Sequence, residues 1–171
     1  GGYLEPLDLL NSGSILRAFE LPWDGGGPAN QRLAYAAVGS DSAVWKGAAL
    51  YSADGTALNS IGPTGRRQAT IGELVTPLLP SAALLLEREA HVEIDLVTAA
   101  AALSAASCKD LAMGQNRLLI GQEIVQFSQA VQISESRWIL SGMLRGRGGT
   151  ETIAKAGHSP GTSVVLPDDS F

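Results

Sequence analysis

The chain has one cysteine, Cys108, and two histidines, His91 and His158, among 171 residues. A lone thiol excludes an internal disulfide and a cysteine-rich metal site, so nothing in the sequence demands an oxidising compartment. Zinc needs three or four converging N, S or O ligands, and one Cys with two distant His supplies no such set. No metal and no cofactor is therefore expected. Aromatic residues make up only 5 % and charged residues 17 %, with a net charge of −5. Such a surface has no global attraction for nucleic acid or an anionic membrane, and neither is expected as a partner. The longest apolar stretch, residues 98–106, is too short and too rich in Ala and Ser to span a bilayer. No basic-then-apolar leader opens the sequence. No repeat at a period of roughly 20–50 residues is visible, which sets solenoids and propellers aside. A Gly-x-Ser-x-Gly nucleophile elbow and a Gly-x-x-x-x-Gly-Lys-Ser/Thr phosphate loop are both missing.

What is present is a chain that is 45 % hydrophobic, carried by Ala, Leu, Ile and Val. That is enough for one sizeable core, and residues 1–171 are read as a single β-rich domain. Gly1-Gly2 reads as a remnant or excision point, so a piece of a longer protein is expected. Residues 15–21 alternate apolar and polar side chains, then stop at the loop Pro22-Trp23-Asp24-Gly25-Gly26-Gly27-Pro28. Residues 32–38 read as a second strand. Residues 45–51 and 56–61 flank Ser52-Ala53-Asp54-Gly55, and Asp-Gly between apolar runs predicts a hairpin. Residues 67–71 read as the next strand; residues 72–90, with Pro77 and Pro80, fit helix and extended chain equally.

The second half is more regular. Residues 91–97 alternate strictly, with His91, Glu93 and Asp95 on one face, which predicts a half-buried strand. Residues 98–113 are Ala-rich and helix-permissive up to Gly114, with Ser104 or Ser107 able to cap a shorter helix. Strands are expected at 117–120, 123–133, 137–143 and 163–166, joined by Gly121-Gln122 and Ser134-Glu135-Ser136. Nine or so short strands with one or two short helices predict a mainly β fold, a sandwich or partly closed barrel of antiparallel strands.

Catalytic constellations are hard to find. His91 reads as an exposed or edge histidine. His158 sits in the turn Lys155-Ala156-Gly157-His158-Ser159-Pro160-Gly161, where an imidazole can bond backbone groups. Glu93 and Asp95 lie on one strand face, their Cα atoms roughly 6.5–7 Å apart at extended-chain rise, a spacing from which their side chains can fall within the separation of glycosidase carboxylates. Alternating acids on a solvated strand face are far commoner, and no catalytic residue is expected. Arg145-Gly146-Arg147-Gly148-Gly149 suggests an RGG-type RNA segment or an anion nest, but it is single and flanked by strong strands. The reading preferred here is a sharp strand-to-helix turn. Its glycines supply positive φ, Thr150 caps a helix over 151–156, and Arg145 or Arg147 pins the turn to nearby carbonyls or acids.

Residues 116–127, a following Trp-containing strand, Leu144-Arg145-Gly146-x-x-Gly149-Thr150 and His158-x-x-Gly161 resemble the C-terminal region of large phage tail-tip proteins. These are the host-specificity or hub proteins of siphophage-like tails, including those of gene-transfer agents. The run Trp45-Lys46-Gly47-Ala48-Ala49-Leu50-Tyr51-Ser52-x-Asp54-Gly55 resembles the same family. So does Leu21-Pro22-x-Asp24 followed by Ala34-Tyr35-Ala36-Ala37, and the resemblance covers roughly residues 15–168. Met143 departs from it, standing where leucine or arginine is usual. The resemblance implies a structural module of the tail tip or baseplate hub, a virion component assembled in the bacterial cytoplasm. It implies partners among other tail-tip subunits and tail proteins, a homotrimer for the full-length protein, and attachment to a host envelope. Catalytic residues of the family belong to an upstream hydrolase-like barrel outside this chain, so none carries over. Arg145, Gly146, Gly149, Thr150 and His158 carry over as organisers of the turn.

A carbohydrate- or receptor-binding module is the alternative, with Trp23, Trp45 and Tyr51 stacking on the sugar rings of a host glycan. It requires at least two of those aromatics exposed on one concave face. Trp23 is the one expected in solvent and is the candidate ligand contact; Trp45 and Trp138 are expected in the core.

Overall fold

A computed structural model describes residues 13–21, 34–41, 45–65, 67–97 and 102–167. Within them the chain forms β1 (Ile15–Glu20), β2 (Ala34–Gly39), β3 (Ala49–Asp54), β4 (Ala57–Pro63), β5 (Thr70–Leu74) and β6 (Glu87–Leu96). Then follow α1 (Cys108–Ala112), β7 (Arg117–Ile120), β8 (Glu123–Gln132), β9 (Arg137–Arg147), α2 (Glu151–Ala154) and β10 (Ser163–Leu166). Six strands close a barrel in the order β10-β5-β6-β9-β8-β7, with β10 pairing β7 to complete the ring. All its pairings are antiparallel. The fold is mainly β, and of sandwich and barrel it is the barrel, fully closed.

Closure leaves every barrel strand with two neighbours, so alternation decides which side chains fill the interior. On β6, Val92, Ile94 and Leu96 point inward and are buried, whereas His91 is exposed and Glu93 and Asp95 are half-buried. Phe127, Leu140 and Met143 meet them in the same core. Each such side chain, fully buried, stabilises the fold by about 1.5–3 kcal/mol. Trp138 is buried as well, at 7 % exposure. At the β5–β6 seam the strands approach so closely that a Cβ on Gly72 would stand 2.3 Å from the Asp95 carbonyl oxygen. Only glycine fits there.

The β1–β2 pair lies on the outside of the barrel. Ala37 packs against Ile71, Leu119 and Val165, with Ile15 and Phe19 at the margin, and Phe19 stacks on Tyr35 across the pair at 5.9 Å. The β3–β4 pair is a separate two-stranded sheet. Its turn is Gly55-Thr56, with Asp54 and Ala57 closing the ladder, so Ser52, Ala53 and Asp54 extend the strand instead of forming the loop. Gly55 alone takes the positive φ, at 60°.

Three further expectations shift. The strand expected at 67–71 is β5, three residues later, and the undecided stretch resolves into β5, an irregular run over 75–86 and the start of β6. The helix expected over 98–113 is reduced to α1, since residues 98–101 lie outside the described set and 102–107 are not helical. The Ala106 N–H bonds the Ser128 carbonyl and Asn116 Nδ2 donates to the Ser104 carbonyl, so contacts with neighbouring chain override alanine's helix preference. Ser107 caps α1 with a reciprocal Ser107–Asp110 box. The strand expected to end at Met143 runs to Arg147, so Arg145 and Gly146 belong to the sheet and the turn begins only at Gly148.

Candidate functional site

Glu123 opens β8 directly after the Gly121-Gln122 turn and is completely buried. It shares its period-2 face with Val125 and Phe127, which fill the barrel, so its carboxylate is carried inward with them. Opposite, β9 holds one residue too many. Ile124 pairs with Arg147 and Gln126 with Leu144, leaving Arg145 and Gly146 across from Val125 alone. This bulge turns the Arg145 side chain and the Gly146 N–H toward Glu123. Gly146 adopts φ 60°, and a Cβ there would stand 2.8 Å from both Ala83 Cβ and Glu151 Cα.

Every acceptor position of the carboxylate is used. Oε1 accepts from Arg145 Nε at 2.8 Å and from the Gly146 N–H at 2.9 Å. Oε2 accepts from Arg145 Nη2 at 2.9 Å and lies 2.7 Å from His158 Nε2. The Arg145 and His158 side chains are 1 % and 7 % exposed, so the whole group is out of water. Burial by itself pushes the Glu123 carboxyl upward; the bonds from His158, Arg145 and Gly146 outweigh it and hold the group at about 2.

Arg145 and His158 also reach the irregular run over 75–86. Arg145 Nη1 donates to the Leu79 carbonyl at 2.9 Å and lies 3.9 Å from Glu87 Oε2, while the Ser81 hydroxyl donates to the other Glu87 oxygen. The His158 main chain exchanges two hydrogen bonds with Leu78, at 2.8 and 2.9 Å. One buried carboxylate thus fastens β8, β9, the turn after α2 and the run before β6 to one another.

Of the residues singled out in the sequence, Arg145, Gly146 and His158 converge on Glu123. Thr150 lies nearby in a different role from the one expected. It occupies the position before α2 but makes no side-chain cap. Its hydroxyl donates to the Arg147 carbonyl at 2.8 Å and accepts from the Ile124 N–H at 3.1 Å, which stitches the end of β9 to β8. Gly149 has φ 88° and open space at its Cβ position, so it contributes backbone freedom alone. Arg147 points elsewhere, donating to Gln126 Oε1, while Gln126 Nε2 holds the Leu111 and Gln115 carbonyls and so anchors α1. Glu123 itself was missed, although an acid in phase with Val125 and Phe127 was the available signal.

The other candidates are scattered. His91 is exposed, with Nδ1 3.1 Å from the Glu89 carbonyl. Asp95 is occupied by Ser136 Oγ at 2.6 Å and Arg137 Nη2 at 3.1 Å, bonds that hold its carboxyl below the usual value, Ser136 most strongly. Cys108 is exposed at the start of α1. Trp23 and its loop lie outside the described residues. Trp45 is half-buried ahead of β3, Trp138 is in the core, and Tyr51 is 57 % exposed. No group of three or more His, Cys, Asp or Glu among the described residues could hold a metal ion, and no helix there is long and apolar enough to cross a membrane. Chemically the Glu123 cluster is a closed clamp, with no acceptor position of the carboxylate left for a substrate.

Residues 69–165 match the model of a protein family described as Rcc01698-like, C-terminal. The match spans more than half of the chain and covers the barrel from the threshold of β5 into β10. No curated protein matches the chain.

Proposed function

The chain belongs to the Rcc01698-like, C-terminal family, and we propose that it is a structural module of a phage-like tail tip or baseplate hub. In this reading it contributes to tail assembly and host attachment and carries out no catalysis of its own. The observation that carries the proposal is the use to which the chain puts Arg145, Gly146 and His158. Residues of the Arg-Gly-x-x-Gly-Thr and His-x-x-Gly segments spend their polar groups on a buried internal clamp. Such a clamp stiffens a barrel against distortion and offers nothing to a small ligand, which suits a part that works by contact with its neighbours. Its partners are then other tail proteins and a host surface, and its place is the virion.

The sugar-binding alternative draws little support, since Tyr51 is the single exposed member of its aromatic set among the described residues. Immunogold electron microscopy of particles from the source cells, with antibody raised against this chain, tests the proposal. Gold at the distal tail end is expected. Particles that remain unlabelled while cell envelopes label would overturn the tail-tip reading in favour of a cell-surface binding module.

A further inference from the structure

We infer that Arg117 and Arg147 form an exposed cationic clip beside α1, which takes an acidic polypeptide segment of a partner protein, one carboxylate to each guanidinium. The chain is acidic overall, with a net charge of −5, and the other two arginines of β9 have acids of their own. Arg137 meets Asp95 and Arg145 meets Glu123. Arg117 and Arg147 are both exposed, and neither pairs with a carboxylate among the described residues. The one acid of α1, Asp110, is already taken by the Ser107 cap, and Lys109 beside it adds a further exposed positive charge.

Strand register gathers the two arginines around one buried residue. Arg117 on β7 lies directly across from Gln126 on β8. Arg147 on β9 pairs with Ile124 and donates from Nε to Gln126 Oε1 at 3.0 Å. Gln126 is 2 % exposed, and its amide is spent on the Leu111 and Gln115 carbonyls at 2.9 and 2.7 Å. It is therefore a fixed post for Arg147. The Arg117 head is held from the other side, lying over Gly114 so closely that a Cβ there would stand 2.6 Å from its Nη2. Both guanidinium groups thus border the 111–115 corner of α1. Arg147 spends only Nε on the protein among the described residues, so both its Nη groups keep their donors.

Charge selects the occupant. A guanidinium already held in place loses little rotamer freedom when it binds, and its planar fork matches a carboxylate. Two acids on alternate residues of an extended segment stand about 7 Å apart on one face, which suits a pair of neighbouring cations. Nucleic acid suits the corner less well. Two arginines neutralise few phosphates, and a chain of net charge −5 repels a long polyanion. Exposed ion pairs are individually weak, so the clip governs orientation and encounter more than affinity, and a short acidic peptide alone is expected to bind with a Kd on the order of 1–10 mM. The inference does not depend on the tail-tip reading, and its failure would leave that reading untouched.

A ¹H–¹⁵N NMR titration of the whole 171-residue chain at low salt, with a capped peptide of Glu-Gly repeats, tests the inference. Saturable shifts are expected at the Nε–H groups of Arg117 and Arg147 and at the Gly114 and Gly148 amides, and they should fade as salt is raised to about 0.5 M. Arg117→Gln and Arg147→Gln should each raise the peptide Kd about threefold or more. Arg88→Gln, at an exposed arginine of β6, should leave it unchanged, and the dispersion of each spectrum shows that the variant is folded. Three results would each overturn the proposal: no saturable shift at the two arginines, equal binding of the matching Gln-Gly peptide, or a response to Arg88→Gln as large as to the other two. Tighter binding of a short thymidine oligonucleotide than of the peptide would overturn it in favour of nucleic acid.

Discussion

Replacing Glu123 by glutamine removes one negative charge and almost no volume, yet it should be among the most damaging single changes to the barrel. The Arg145 guanidinium, 1 % exposed, would remain buried without its counter-charge. One amide NH2 would also be forced against an N–H of Arg145, Gly146 or His158, since all four bonds to the carboxylate come from those donors. Removing one partner of a buried ion pair costs about 3–5 kcal/mol. Proton linkage yields a similar magnitude by a separate route. The carboxyl stands at about 2 in the folded chain against an ordinary 4.5, a difference equivalent to about 3 kcal/mol. The folded pKa is depressed, so the unfolded chain binds more protons through this window. The stabilisation is therefore complete above about 4.5 and lost as pH falls from there to about 2. With a urea m-value of about 2 kcal/mol/M, Glu123→Gln should lower the unfolding midpoint at pH 7 by about 2 M. The difference between wild type and variant should then shrink as the pH is taken down through 4.5. A midpoint shift under about 0.5 M, or a difference that does not change with pH, would refute the idea that this carboxylate neutralises the buried guanidinium.

Further substitutions probe the neighbourhood of Glu123 and the cap of α1. Gly146→Ala places a Cβ 2.8 Å from Ala83 Cβ and Glu151 Cα at a residue with φ 60°. It should cost about 2–4 kcal/mol and lower Tm by about 5–10 °C by calorimetry. Thr150→Val leaves the Ile124 N–H without its acceptor and should cost about 1–3 kcal/mol in urea unfolding, whereas Thr150→Ser should cost well under ~1; equal losses would exclude the hydroxyl as the cause. Ser107→Ala removes the capping box of α1 and should cost about 1 kcal/mol. Ser104→Ala should stay within about 0.5 kcal/mol, because Ser104 takes part through its main-chain carbonyl.

Much of the barrel could be read from alternation. The acids on the outward face of residues 91–97 announced β6, and the joints Gly121-Gln122 and Ser134-Glu135-Ser136 lie where the chain turns between β7, β8 and β9. The failures have local causes. Residues 102–107 are alanine-rich and prefer a helix in isolation, but the Ala106 N–H finds its partner on Ser128. Arg145 and Gly146 looked like the start of a turn because glycine and arginine follow an apolar run. In fact a bulge keeps both within β9, and the register of β8 across from them makes the bulge.

Composition alone ruled out a disulfide and a cysteine-rich metal site, and period-2 patterning alone determined which side chains of β6 enter the core. These are properties of one residue or one strand, and a linear string carries them completely. The closing of the barrel by β10 on β7, the fully buried state of Glu123 and its meeting with Arg145 and His158 were decided only by tertiary structure. Arg145 and His158 lie 22 and 35 positions along the chain from Glu123. No short-range pattern links them. What joins them is the low-dielectric interior of the barrel, where an acid is tolerated only if folding delivers its counter-charge and its donors to the same place.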